Sequence, residues 1–283
     1  MNEITESSAS DMSGWPFGSS DPLPAGGSKV FDRVLKVGKM VRAYDNWLLA
    51  LADRFHLLKA GPVLNRLRKG TQFAVKARTM DVRIINEVWI DKIYTPSCDF
   101  AIKDGWTVLD IGGQKGMFSI FAATSAKGVT VYTFEPSPES FASLTQNVEL
   151  NKLSNVKLFN IAAGLGDGTA TLHLAKDSGE NSLLLSAVPM RGKVVVNTWP
   201  LEKILNTVGS PVDLLKMDIE GMEYDTLLTC PPDALSQIRR IALEYHDHLV
   251  SGVYAIRHLS EFLTANGFSV RVNTARRILM ARQ

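Results

Sequence analysis

The stretch from Thr107 to Ala123, TVLDIGGQKGMFSIFAA, constrains this chain more than any other. Its apolar run Val108-Leu109 closes on Asp110. A glycine-bearing turn follows, Gly112-Gly113-Gln114-Lys115-Gly116, and then an amphipathic run from Met117 to Ala123. That order reads as strand, tight turn, helix. Glycine takes backbone angles that other residues avoid and lets a ligand come close to the main chain, and a helix N-terminus offers free N–H groups to an anion. Beyond the turn a second strand, Val129 to Phe134, ends at Glu135-Pro136. An acid at that place can accept from the two hydroxyls of a ribose. Glycine turn and second-strand acid together mark the nucleotide end of a doubly wound parallel sheet.

The glycine spacing narrows the nucleotide. Dinucleotide sites use G-x-G-x-x-G. This chain has D-x-G-G-x-x-G, with Asp110 directly at the strand end. A pyrophosphate would be repelled by a carboxylate there, whereas a ligand carrying an ammonium would be attracted. S-adenosylmethionine has an ammonium, a carboxylate and a ribose, and no phosphate. The expected contacts are Asp110, Gly112, Gly113, Gln114, Gly116, Glu135 and Pro136, with Ile161 and Ala162 at the end of a third strand, Asn155–Ala162, as the apolar rest for an adenine.

Charge divides the chain into three. Residues 1–28 hold four acids and no Lys or Arg, are rich in Ser, Gly and Pro, and lack the basic and apolar blocks of a signal peptide; they are expected to be a disordered tail. Residues 29–92 hold fourteen bases and six acids, a balance of +8, while residues 93–283 hold seventeen bases and nineteen acids, a balance of −2. The basic segment is expected to be helical. Val30 to Lys59 sets Phe31, Val34, Leu35, Met40, Trp47, Leu48 and Leu51 against Lys36, Lys39, Arg42 and Arg54. Val63 to Arg68 suggests a further helical turn, and Asp81 to Ile93 another helix. Such a basic amphipathic face can lie on a membrane or on nucleic acid, but most simply pack against their own domain. No apolar run is long enough to span a bilayer. Two cysteines, Cys98 and Cys230, have neither metal nor redox spacing, which suits a reducing, cytoplasmic setting.

From Ser140 onward helices and strands alternate until Thr169–Leu174 and Val194–Trp199, two strands around a polar loop, Lys176 to Ser182, that read as an inserted β-hairpin. Val212 to Met217 and Arg240 to Tyr245 are then apolar strands. Lys216, Asp218 and Glu220 fall on one side of the first if the extended form persists, and Glu244 and His246 on one side of the second. Buried strand ends do not tolerate ionisable groups without reason, and ligands in such sheets bind at strand C-termini near the switch point. Phe268–Val272 and Ile278–Met280 should close the sheet as an antiparallel pair.

The segments VLDIGGQKGMFSIFAA, TFEPSPESFASLTQNVELN, FNIAAG, VDLLKMDIEGMEYDTLL and IALEYH, in that order, resemble the FkbM family of S-adenosylmethionine-dependent methyltransferases over roughly residues 93–250. The resemblance implies a Rossmann-like class I methyltransferase sheet of seven strands with the last antiparallel, and it implies O-methylation of a sugar, glycan or natural-product hydroxyl; the helical segment 29–92 lies outside it. The family commonly has G-A-N in the turn, where this chain has Gly112-Gly113-Gln114.

The chemistry needs a hydroxyl aligned behind a methyl group and a base for its proton. His246 is the favoured base, with Asp218 as the competing base or the group that positions the acceptor, Glu244 orienting His246 or the substrate, and Lys216 holding a carboxylate or contacting an acidic acceptor. No metal is assigned, although Asp218, Glu220, Glu244 and His246 include oxygen and nitrogen donors. The alternative is a nucleic-acid methyltransferase or binding protein docking through residues 29–92. It lacks an N-P-P-Y-type stretch after Met217 and an aromatic-rich basic patch to stack bases, so a small-molecule or glycan acceptor is expected and nucleic acid is not. The sequence leaves the oligomeric state open.

Overall fold

The computed structural model describes residues 29–175, 181–184, 190–247 and 256–283. The expected tail, 1–28, lies outside the described residues, as does most of the loop 176–182.

The central sheet has seven strands: β3 (Thr107–Ile111), β4 (Thr130–Phe134), β5 (Val156–Phe159), β9 (Leu214–Met217), β10 (Arg240–Glu244), β11 (Ser269–Asn273) and β12 (Ile278–Arg282), in the spatial order β11-β12-β10-β9-β3-β4-β5. β3 pairs parallel with β4 on one side and β9 on the other, so the chain reverses its direction of travel across the sheet at β3. That switch point opens a crevice at the strand C-termini. The last strand, β12, runs antiparallel to both β10 and β11. This is the expected α/β sheet.

Burial explains why these segments are strands. Val108, Leu109, Val131, Phe134, Leu214, Leu215, Ile241 and Leu243 are almost wholly excluded from water. A parallel sheet covered on both faces gives such near-continuous apolar runs. One face packs against α4 (Met117–Ser125) and α5 (Pro138–Leu150), the other against α6 (Leu201–Val208), α7 (Glu223–Leu228), α8 (Pro232–Leu235) and α9 (Ile256–Ala265). Ser137 caps α5 and Pro138 occupies its first turn.

The expected hairpin insertion is present as β7 (Gly168–Ala175) and β8 (Met190–Trp199), antiparallel. A two-residue strand β6 (Ala162–Ala163) adds to β8 in a separate three-stranded sheet. The third main strand therefore stops at Phe159, short of the expected Ala162, because Ala162 and Ala163 pair with Thr198 and Trp199 instead.

The N-terminal segment differs from expectation in three places. Val30–Lys59 is two helices, α1 (Lys29–Ala43) and α2 (Trp47–Arg54), broken at Tyr44–Asn46 where Tyr44 pairs with Leu67. Val63–Arg68 is not helical: Pro62–Arg66 forms β1, hairpin partner of β2 (Gln72–Lys76). The alternating half-buried and buried positions of β2 and the Gly70 turn favour the hairpin, and α5 holds it, since Asn147 and Asn151 accept from the main-chain N–H groups of Ala74 and Gln72. The helix from Asp81 is α up to Ile85 (α3) and then a π-helical turn, Asn86–Ile90. Met40, Tyr44, Phe73, Ile85 and Val88 belong to the same core as Val108, Met117 and Val131, so this segment packs on the sheet domain.

Candidate active site

The crevice at β3, β4, β9 and β10 gathers most of the ionisable residues read from the sequence. Its floor is the glycine turn. Gly112 has a φ of +85°, and a Cβ there would stand 1.8 Å from the main-chain oxygen of Asp218. A Cβ on Gly113 would meet Thr133 at 2.3 Å. Both glycines thus let the turn nest between the end of β4 and the loop after β9. Gly116, φ +87°, ends the turn and starts α4. Lys115, inside the turn, forms a buried ion pair with Asp81 of α3 at 2.6 Å, which ties the N-terminal segment to the site.

Asp110 sits beneath the turn and is fully buried. One carboxylate oxygen accepts from Ser119 at 2.5 Å, and the other lies 3.2 Å from the Lys216 ammonium. The Lys216 Nζ also donates to the Gly112 carbonyl at 2.8 Å. Burial by itself would lower the pKa of Lys216, but Asp110 and Asp218 outweigh it and hold the ammonium more firmly than usual. Lys216 links Asp110 to the Gly112 carbonyl of the turn.

Glu135 closes β4. Its two oxygens accept from the main-chain N–H groups of Gln114 and Ser137, each at 2.8 Å, yet burial dominates and pushes its carboxyl up to about 7. Gln114 holds a left-handed φ of +49° to make that bond, a conformation uncommon outside glycine. Beside them Pro136, Ile161 and Ala162, with Phe134, Leu183 and Met222, line a small apolar cavity of about 20 Å³. A second cavity of about 40 Å³ runs from Gln114 and Glu135 to Asp218 and Glu220, and a third, about 20 Å³, from Gln114 to Tyr94, Lys216 and Asp218; Gly112 borders all three.

Beyond Met217 the extended form does not persist. Glu220 has φ +53° and Gly221 φ +105°, so the loop curls back on itself. The charged groups meet nonetheless. Tyr94 donates to Asp218 at 3.3 Å or Glu244 at 3.1 Å. His246 Nε2 lies 3.4 Å from Glu220 and 4.0 Å from Asp218, and its Nδ1 lies 2.9 Å from Glu223. Burial alone would lower the imidazole's pKa, but the hydrogen bond and charge of Glu223, with Glu220 and Asp218, reverse the sign and push it up to about 10. His246 is therefore an imidazolium at neutral pH. Burial, then the neighbouring Asp218, raise Glu220 to about 8 and Glu244 to about 7.

Two residues here escaped the sequence reading. Glu223, fully buried, accepts from the N–H groups of Ile219 and Gly221 at 2.9 Å each while holding His246. A signal existed: it closes the K-M-D-I-E-G-M-E stretch, at the start of α7, where an acid can cap free N–H groups. Tyr94 follows the π-helical turn and had no such signal. Ser182, in the loop between β7 and β8, donates to the Glu220 carbonyl at 2.6 Å and brings the insertion to the site. Asp218, Glu223 and His246 also place one donor atom each within 4.8 Å of one another. The Glu223 carboxylate is already taken by two N–H groups and the imidazole, while Asp218 stands 4.0 Å from the other ring nitrogen.

Comparison with known proteins falls on the same residues. The sequence profile of the Methyltransferase FkbM domain matches residues 110–270, more than half the chain and nearly all of the crevice. Methyltransferase 1 of Beauveria bassiana is 27% identical over 221 residues, 71% of this chain and 86% of that protein. The 31-O-demethyl-FK506 methyltransferase FkbM of Streptomyces tacrolimicus is 26% identical over 216 residues, 66% of this chain and 81% of that protein. Among solved structures, an rRNA methylase from Streptococcus thermophilus overlaps 65% of this chain and 90% of its own at 12% identity with a TM-score of 0.40. With a matched profile that begins at Asp110 and spans the loops carrying Glu135, Asp218 and His246, the chain belongs to the FkbM family of methyltransferases.

Proposed function

We propose that this chain moves a methyl group from S-adenosylmethionine to a hydroxyl of a small molecule or glycan. The observation that carries the reading is the charge of the crevice. Six carboxylates, Asp110, Glu135, Asp218, Glu220, Glu223 and Glu244, stand with two cations, Lys216 and His246. Three of the six are held partly protonated near neutral pH by burial and crowding. A site in that condition favours a cationic ligand, which would relieve the repulsion. The donor is a cation that, when bound, supplies an electrophilic methyl group on a sulfonium.

The residues fit it part by part. Pro136, Ile161 and Ala162 offer a small apolar rest for the base, Glu135 an acceptor at the ribose, and Gln114 with the Gly112 carbonyl, fixed by Lys216, the polar end. Asp110 contributes from below by keeping Lys216 in place. The acceptor end lies at Asp218, Glu244 and His246. Because His246 holds its proton, Asp218 becomes the preferred base, Tyr94 orients it, and the imidazolium holds the acceptor oxygen or its developing negative charge. The name of the Streptomyces relative, a 31-O-methyltransferase by its substrate, supports oxygen as the methylated atom.

The test begins with the donor, because it needs no acceptor. Calorimetry should show binding of S-adenosylmethionine and of its demethylated product, and none of nicotinamide dinucleotides. Glu135→Ala should weaken that binding by about 1–3 kcal/mol, the cost of leaving two hydroxyls unpaired. Unchanged affinity would take Glu135 out of the site, and no binding to the wild type would end the reading. Labelled methyl transfer to a panel of hydroxyl compounds then checks oxygen as the target.

A further inference from the structure

A cavity of about 630 Å³ lies between α1, α2 and the helical stretch Asp81–Ile90, next to the active site and not accounted for by the donor. Its size is that of a small-molecule site. Five basic side chains line it. Two are neutralised: Lys39 pairs with Asp91 at 3.1 Å and Arg83 with Glu87 at 2.8 Å. Lys36, Arg54 and His56 have no ion pair with a carboxylate among the described residues. The remaining lining is apolar, with Met40 and Ile90 at the base and Phe55, 54% exposed, at the rim. An apolar floor below three uncompensated basic groups suits an anion on an apolar body.

The cavity shares a wall with the reaction centre. Arg83, Glu87 and Ile90 face it, while their neighbours Ile84 and Val88 line the small cavity that holds Gly112, Lys216 and Asp218. One helical stretch, anchored to the glycine turn by Asp81 and Lys115, therefore separates a basic pocket from the proposed base. Glu87 is also near enough to act on Tyr94 and Glu244 electrostatically.

We propose that this pocket is a separate binding site for a soluble amphiphile whose apolar body carries a phosphate or carboxylate. Lys36 and Arg54 take the anion, and Phe55, Met40 and Ile90 take the body. The pocket's preference for anions stands apart from the methyltransferase reading.

The experiment uses the full chain and a matched pair of probes, 1-naphthyl phosphate and 1-naphthol, by calorimetry, with S-adenosylmethionine binding measured in parallel. The phosphate should bind at least about tenfold more tightly than the alcohol. The double variant Lys36→Gln/Arg54→Gln changes two exposed side chains, so it should fold, lose that preference, and bind S-adenosylmethionine as the wild type does. Equal affinities for the two probes, or a preference that survives in the double variant, would overturn the proposal. So would competition by phosphatidylglycerol vesicles against phosphatidylcholine vesicles when the soluble phosphate does not bind, which would make the surface a lipid site. If S-adenosylmethionine fails to bind while naphthyl phosphate binds, the methyltransferase reading falls and the anion site remains.

Discussion

Exchanging Glu223 for Gln removes one negative charge from a position with no access to water. In the wild type the Glu223 carboxylate, 2.9 Å from His246 Nδ1, is the leading reason the imidazole is charged. The rise from 6.5 to about 10 corresponds to roughly 5 kcal/mol of preference for the imidazolium, at 1.36 kcal/mol for each pKa unit. Burial works in the opposite sense, and Glu220 and Asp218 only assist. With Gln at 223 burial faces the two weaker supports, and the ring should lose its proton below about pH 7, near its ordinary value. Gln keeps an oxygen for one of the N–H groups of Ile219 and Gly221 and leaves the other unpaired, at about 1–3 kcal/mol.

The sign of the stability effect follows from linkage. A group whose folded pKa lies above its unfolded one adds stability that is complete below the unfolded value and disappears as pH rises through the folded value. For His246 the window is pH 6.5 to about 10. The variant should therefore lose most against the wild type below pH 6.5, and the gap should narrow toward pH 10. Ring titration by NMR reads the first effect, with His246→Gln identifying the resonance, and urea unfolding at pH 6 and pH 9.5 reads the second. If the His246 ring of the wild type titrates near 6.5, as it also does in Glu223→Gln, the carboxylate does not govern its charge and the assignment of Asp218 as base loses its ground.

Three further outcomes test other parts. Asp218→Asn should lower turnover by roughly 10²–10⁴-fold with donor affinity nearly unchanged, whereas His246→Gln should cost less; a larger loss in His246→Gln would return the base to the imidazole. Gly112→Ala should destabilise by roughly 1–2 kcal/mol for its left-handed backbone and about 1–3 kcal/mol more for displacing the Asp218 carbonyl, and a wild-type urea midpoint would refute the close approach. Asp81→Asn strands the buried Lys115 ammonium and should destabilise by about 3–5 kcal/mol, and a loss under 1 kcal/mol would show that the pair does not tie the N-terminal segment to the turn.

The sheet could be read from the sequence because its strands are buried on both faces and its turns carry glycine: Val108-Leu109 before Gly112, and Leu214-Leu215 before the D-I-E-G loop, leave few alternatives. The β1–β2 hairpin could not. Val63 to Arg68 holds apolar and basic residues in a pattern short enough to fit either period, and what decides it is the distant pairing of β2 with Asn147 and Asn151 of α5. The site was legible as a set of residues and less so as a network. Lys216, Asp218, Glu244 and His246 were found from strand ends alone. That Asp110 would face Ser119 and Lys216 depends on which side of β3 its side chain takes, and that Glu223 would reach back to His246 depends on the left-handed turn at Glu220. Neither is a matter of spacing.

Those two contacts also explain how a crowded acidic crevice stays folded. Lys216 answers Asp110 and Asp218, and His246 answers Glu223, Glu220 and Asp218. Each cation is buried, so its charge is screened little by solvent and acts strongly on its neighbours. The carboxylates they do not fully answer, Glu135, Glu220 and Glu244, take up protons near neutrality instead. Raised folded pKa values mean that the stability these three contribute is complete below about pH 4.5 and is lost as pH rises toward 7 and 8, the same direction as for His246. The crevice is thus least comfortable when empty and alkaline, and a cationic ligand between Glu135 and Asp218 would lower the carboxyl pKa values and release their protons. Donor binding should for that reason be coupled to proton release, and the same repulsion that weakens the unliganded fold becomes part of the affinity for a positively charged donor.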